Sequence, residues 1–457
     1  MLKKFYGRKR FLILVLGLSL GLFSLYIRYS CLREYINPIA TSSIFEWIQK
    51  PAAVRFVGKY DRTYISWIAH SGKIQMRFYD HKIKRFSDIS TIDDLYPEYG
   101  IESQDDHNAP SLLILPTGQI LIFYVVHDVN NSFFMKRSAA PEDISSWTKR
   151  QTISDKSTHI PYNYPQAKRL ADGTIFLFYR RGVFYNSDEF YKVSKDDGQT
   201  WGKAKKLIDF GSDGVYAFIY AKNNQIHVAW NKSTGETPKK NVYYMVSPDG
   251  GETWQKKDGT KLNLPVKENK ADIVFDSGDD PDYAWDIVAD NQNNPYIVFA
   301  YKDDPYHEYR FAWWNGSSWV NSFITTSSVL YDTGEFFSGG IVIDPDNIYN
   351  IFLSKKHDRF ELENWTSFDQ GTTWKKSQSL TENSQVDNFR PQIVENYSDE
   401  LSVVWSSGIY EGRVDSQWSG FNKVNIQSEL TKDSIPTSCK ILAPLKLYKL
   451  FAMFKKI

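Results

Sequence analysis

Three segments of this chain fit one template, S-x-D-x-G-x-x-W: SKDDGQTW at 194–201, SPDGGETW at 247–254 and SFDQGTTW at 367–374. Their starts lie 53 and then 120 residues apart, so the second gap is close to two periods. Self-similarity at a fixed long period predicts a repeat architecture in which each unit stacks on its neighbours. Within each copy the aspartate accepts bonds from turn amides, the glycine supplies positive φ, and the tryptophan packs between sheets. The motif reads as a structural turn, and its aspartates as non-catalytic.

A second rhythm runs through the body: an apolar strand, a short turn, a second apolar strand. It reads TYISWIAHSGKIQMRFYD near 63, APSLLILPTGQILIFYVV near 109 and YPQAKRLADGTIFLFYRR near 164. It continues near 215, 283, 337 and 390, with PTG, ADG, NNQ, QNN and DPDN as turn signals. No long amphipathic helix competes. The pattern predicts an all-β, seven-bladed β-propeller over 52–430, four short strands to a blade of ~50 residues. Aromatics make up 16% of the chain, which favours strands and supplies faces that stack on sugars.

Composition removes other classes. Basic and acidic residues balance at 55 to 54, without the basic excess of a nucleic-acid binder. The two cysteines, Cys31 and Cys439, cannot form a disulfide scaffold and sit in no C-x-x-C pattern; a bridge between them would close nearly the whole chain. No cofactor is expected, although a structural metal ion stays open.

The N-terminus reads as a targeting segment. Five Lys/Arg in residues 1–10 precede an uncharged run at 11–27, which predicts a membrane anchor helix followed by a linker over 28–51. The positive-inside rule places the body outside the cytoplasm. A cleaved signal peptide, giving a secreted protein, is the rival reading. The basic, apolar tail within 431–457 reads as a packed or frayed end, with a membrane-surface segment as the alternative.

In a propeller the innermost strands line a central channel, and residues at their starts gather around one mouth. Those positions carry His107, Tyr164, Tyr216, then Tyr283, Trp285 and Asp286, then Glu335, then Arg390. The partner strands end at His127 and at Arg180 with Arg181. This set suits elimination from a uronic acid, where the proton beside a carboxylate is removed against that group's charge. A fixed arginine neutralises the carboxylate, a neutral histidine serves as base, and a tyrosine protonates the leaving oxygen.

The order H-N-x-P from His107, a histidine at 127, then Y-P-x-x-x-R-L-x-D-G-T-I-x-x-F-Y-R from Tyr164 to Arg180 resembles BNR-4 type propellers. That group includes polysaccharide lyases of the ulvan lyase kind, and the aspartate turns resemble the Asp-boxes of sialidases. The resemblance implies that His107 and Tyr164 transfer protons, His127 assists and Arg180 neutralises the uronate. Tyr216, Asn108, Arg390 and Trp285 are then expected to contact a polysaccharide substrate. The specific likeness covers residues 100–182; the rest shares only the propeller rhythm. The His/Cys cluster that holds structural zinc in some relatives is not identified.

Each residue also has a purely structural reading. His107 would cap a strand through a backbone bond, His127 would lie in a surface turn, Tyr164 would be core, and Arg180 would pair with Asp172. A non-catalytic glycan-binding propeller is therefore one alternative. A sialidase is another, though the early F-R-I-P motif is absent and Arg180 with Arg390 gives only part of its arginine set. A glycosidase using Asp286 and Glu335 is a third.

Overall fold

The computed structural model describes residues 38–431 except 130, 156–159, 184–185, 235–238, 304–305, 331–336 and 415–416. One compact unit spans Ala40–Ile426; the terminal unit, 1–39 with 427–457, lies almost wholly outside the described residues. So do Cys31, Cys439, the run at 11–27, the tail and Glu335. Among the described residues no helix is long and apolar enough to cross a membrane.

The main unit is all-β and propeller-like, built from antiparallel sheets in which consecutive strands are neighbours. One sheet holds Ser111–Ile114, Ile120–Tyr124, Ser132–Arg137 and Gln151–Ser154; the next holds Tyr162–Arg169, Ile175–Val183, Asn186–Ser194 and Lys205–Ile208. Further sheets start from Gly214–Lys222, Asp282–Ala289 and Ile341–Ile343. The largest has ten strands and joins the two ends of the unit. Val54 on strand Ala53–Val57 meets Glu395 on strand Asp387–Ser398 in a parallel pair, and Ala40 and Thr41 pair with Ile426 and Asn425.

The repeat motifs are turns, as their chemistry requires. In the first, the Gly198 amide donates to Ser194 Oγ at 2.9 Å and the Thr200 amide to Asp196 Oδ1 at 2.9 Å. The same bonds recur at Ser247/Gly251 with Asp249/Thr253, and at Ser367/Gly371 with Asp369/Thr373. Gly371 has φ +87°, and a Cβ there would come within 2.6 Å of Phe311. The box tryptophans pack on aromatics of the preceding sheet: Trp201 on Phe123 at 5.8 Å and Trp374 on Phe311 at 5.0 Å. These contacts bury the faces that a single sheet would leave wet.

Two expectations need correction. The hairpin read near 63, Asp61–Ala69 with Lys73–Asp80, does not begin its run of strands, because a short strand Ala53–Val57 precedes it and pairs with Asp61–Ala69. Its sequence, AVRFV, is too brief to alternate clearly. The linker also ends early. From Ala40 the chain is strand or packed segment, and Glu46, Trp47, Ile48 and Gln49 are all buried.

Candidate functional site

His107 lies in a single helical turn, Asp106–Asn108, whose preceding residue Asp105 accepts a bond from the His107 amide at 2.9 Å. That turn places two carboxylates on one ring nitrogen. His107 Nδ1 is 2.8 Å from Asp105 Oδ1 and 2.6 Å from Asp106 Oδ1. The ring is buried, but it is bound by side chains and not by backbone. His127 stacks on it, centroids 4.3 Å apart and planes 15° apart, with its Nδ1 3.4 Å from Asp105 Oδ2. Asn108, expected to contact substrate, is fully buried: it donates to the Glu102 carbonyl at 2.8 Å and accepts from the His127 amide at 2.8 Å. It fixes the two histidine segments to each other.

Tyr164 enters from the next sheet at a β-bulge between Asn163 and Gln166. Its φ is +56°, although it precedes Pro165 and is not glycine. A residue before proline is normally extended, so this backbone is strained, and bulges of this kind re-aim a side chain. The ring lies 5.5 Å from His107 and 5.7 Å from His127. Arg180, opposite Asn163 in the register, holds its guanidinium 5.2 Å from the Tyr164 ring centroid and 4.3 Å from that of Tyr216. Tyr216 is half-buried, 5.7 Å from Tyr164. His107, His127, Tyr164, Arg180 and Tyr216 thus form one contiguous group drawn from three sheets.

Arg390 and Trp285 are buried. Arg390 is 1% exposed; its Nη1 donates to Asp106 Oδ2 at 2.8 Å and to the Phe45 carbonyl at 3.0 Å. It occupies a bulge like that of Tyr164, again before proline, with φ +51°. Trp285 is buried against Trp47 at 5.6 Å. Asp286 is ion-paired with Lys50 at 2.8 Å and accepts from the Ile343 amide at 3.0 Å, which removes it as a free acid. Asp172, the structural partner considered for Arg180, caps its own turn through Thr174.

Sequence reasoning missed several members. Asp105 and Asp106 stand directly before His107 in DDHNAP and were legible as its partners. Trp47, Trp418, Phe337 and Lys239 carried no local signal. Trp418 lies 5.5 Å from His107, and the Lys239 ammonium is 4.1 Å from the Tyr216 centroid, 4.8 Å from that of Tyr283 and 5.1 Å from that of Phe337.

Burial and charge compete at every titratable group here. Burial opposes a charged His107, but Asp106 and Asp105 outweigh it and hold the imidazole well above its ordinary value. Burial likewise opposes charge on the two carboxylates, and the imidazoles outweigh it, so both lie below the usual range. Burial pushes the Tyr164 phenol well up, helped by Tyr216 and opposed by Arg180. Burial and then Arg180 push Lys239 well down. Burial raises Glu46, whose Oε1 has no hydrogen-bond partner among the described residues.

Asp105, His107 and His127 place potential ligand atoms within 4.8 Å of one another. They do not fit a resident metal. Nearly parallel rings 4.3 Å apart send their in-plane lone pairs side by side, whereas two imidazoles on zinc converge at about 2.0–2.1 Å. The Asp105 carboxylate already bridges the two Nδ1 atoms.

Comparison with known proteins gives consistent matches. The profile described as "BNR repeat-containing family member" matches residues 62–327, more than half of the chain. An ulvan lyase of Alteromonas sp. (strain LOR) is 24% identical over 425 residues, covering 83% of this chain and 84% of that one. Ulvan Lyase-PL25 of Pseudoalteromonas sp. (strain PLSV) is 26% identical over 383 residues, 73% of this chain and 74% of that one. The structure of a PL25 ulvan lyase bound to -[GlcA(1-4)Rha3S]- aligns with TM-score 0.69 at 20% identity, covering 90% of this chain and 99% of that one. That of the polysaccharide lyase Uly1 aligns with TM-score 0.55 at 12% identity, covering 84% and 91%. At these identities the structural matches show the fold alone.

Proposed function

This chain belongs to the BNR repeat-containing family, and from that premise we propose that it is a polysaccharide lyase cleaving uronic-acid-containing glycans by β-elimination. The observation that carries the reading is the convergence of His107, His127, Tyr164 and Arg180 on one group. The named relatives are lyases, which supports the same class. We read the sheets as seven blades, the ten-stranded sheet being two blades joined along their inner strands. The apolar run at 11–27 is proposed to anchor the chain in a membrane with the propeller outside the cytoplasm.

In this mechanism Arg180 binds the uronate carboxylate and offsets its charge as the adjacent carbon becomes carbanion-like, a preorganised contribution of ~3–4 kcal/mol. The carboxylates beside Nδ1 favour the charged ring, so we assign His107 the part of proton donor. Tyr164 takes the C5 proton in its phenolate form, which burial disfavours and the Arg180 cation favours. The C5–H and C4–O bonds break, the C4=C5 double bond forms, and His107 gives its proton to the leaving oxygen. Return of the proton from Tyr164 to His107 restores both groups.

The test is incubation with a panel of uronate polysaccharides while ultraviolet absorbance is followed for the unsaturated product. A rise that Tyr164→Phe abolishes supports the lyase. Binding without a rise on any polymer supports a glycan-binding propeller instead.

A further inference from the structure

His107 is held by a second layer that comes from the opposite end of the chain. Asp106 is fully buried, and its Oδ2 accepts from Arg390 Nη1 at 2.8 Å and from the Tyr410 hydroxyl at 2.7 Å. Its Oδ1 faces His107 Nδ1 at 2.6 Å. One carboxylate therefore links a guanidinium and a phenol on one side to an imidazole on the other. The guanidinium is itself clamped between rings, 4.3 Å from the Trp47 centroid and 4.5 Å from that of Tyr410. Arg390 sits at a strained bulge in strand Asp387–Ser398, nearly 300 residues from the histidine it serves.

Such a relay does more than pack. Nδ1 is hydrogen-bonded to Asp105 Oδ1 with Asp106 Oδ1 in ion-pair contact beside it, which turns Nε2 toward the side of the ring away from Asp105 and Asp106. Arg390 Nη1 donates both to Asp106 Oδ2 and to the Phe45 carbonyl, which ties the carboxylate to the backbone of the N-terminal segment. Orientation of a catalytic imidazole by a buried partner is worth orders of magnitude in rate without any substrate contact.

We propose that Arg390 and Tyr410 are positioning residues, which act through Asp106 to fix the ring of His107 for proton donation. The inference rests on the lyase reading only in its kinetic arm. The titratable groups facing His107 are Asp105 and Asp106 on its own turn, His127 and Tyr164 from the neighbouring strands, and Glu46 from the N-terminal segment, with Arg390 acting through Asp106. Removing the Asp106 charge strips a carboxylate from His107. Removing Arg390 or the Tyr410 hydroxyl takes one competing donor from that carboxylate and leaves more of its charge to His107. The two kinds of change therefore act on His107 with opposite signs.

The experiment is a pH titration of the full-length chain, selectively labelled with nitrogen-15 histidine, read by nuclear magnetic resonance without substrate. Asp106→Asn is expected to lower the pH at which His107 titrates. Arg390→Met and Tyr410→Phe are expected to raise it, with Arg390→Lys between wild type and Arg390→Met. In turnover, Tyr410→Phe is expected to lose roughly tenfold in kcat with KM within about twofold. Should Arg390→Met fail to fold, Tyr410→Phe decides, since its ring and packing remain. A His107 titration that Tyr410→Phe and Asp106→Asn leave in place overturns the proposal. Because the titration needs no substrate, failure of the lyase reading would leave this result legible.

Discussion

The imidazoles of His107 and His127 lie stacked at 4.3 Å, and one carboxylate, Asp105, reaches the Nδ1 of both. Two histidines twenty residues apart are thus joined by a third side chain from the turn that precedes the first. The pair bonds to acids on its inner side and meets Tyr164 with its rings. That arrangement favours the charged form of His107.

The pH profile follows from this arrangement. Burial and Tyr216 hold Tyr164 above its ordinary value, so the phenolate that takes the C5 proton becomes more abundant as pH rises. His107, held up by its carboxylates against burial, must stay protonated to donate. Turnover is expected to climb from neutral pH into the alkaline range. A rate optimum at or below pH ~6.5, where a free imidazole titrates, would contradict the assignment.

In the proposed elimination Arg180 carries the charge compensation. Arg180→Met is expected to cut kcat/KM by about 10²–10³-fold while leaving the circular dichroism spectrum in place. Arg180→Lys should recover only part, because an ammonium cannot offer the paired donors of a guanidinium. Steady-state kinetics on the best polymer of the panel check both.

The aspartate turns are predicted to matter for stability and not for turnover. Strand Lys239–Ser247 has Lys239 beside Tyr216 at one end and the Ser247–Asp249 turn at the other, roughly 27 Å away for nine extended residues. Asp249→Ala removes the bonds to the Thr253 amide and to Ser247 Oγ. A thermal melt is expected to drop by a few degrees with kcat unchanged.

His227 sets an acid weakness far from this chemistry. It is fully buried beside the Tyr244 hydroxyl at 2.8 Å, and burial, with Lys257 adding, holds its imidazole down to about 3. The unfolded chain binds that proton near pH 6.5, so stability is intact above that value. It declines as pH falls toward 3, by up to ~1.4 kcal/mol per pH unit. His227→Asn is expected to lose stability at neutral pH but to melt with a shallower slope between about pH 6 and pH 4. Equal slopes in the two proteins would exclude the burial argument.

The sequence carried the fold further than the site. Turn chemistry in the three S-x-D-x-G-x-x-W segments and the paired strands marked sheets whose order follows the chain, because each sheet is local. His107, His127, Tyr164 and Arg180 were legible for the same reason: adjacent hairpins place them, and local strand pairing sets their register. Arg390 was misplaced because its side chain turns inward at a bulge that no local residue pattern announces. Glu46 and Trp47 were hidden in what read as a linker, and Lys239 and Trp418 reach the group only through the assembled unit. The carboxylates around His107 could not be oriented from spacing, and the proposed base and acid roles depend on them.

The central claim is that this site eliminates and does not hydrolyse. The most direct measurement is mass spectrometry of products formed from a uronate polysaccharide in water enriched with heavy oxygen. Elimination predicts a fragment with a double bond, lighter by one water than the hydrolysis product, carrying no heavy oxygen, and absent with Tyr164→Phe. A fragment that incorporates heavy oxygen at the cleaved bond would identify a hydrolase and contradict the account.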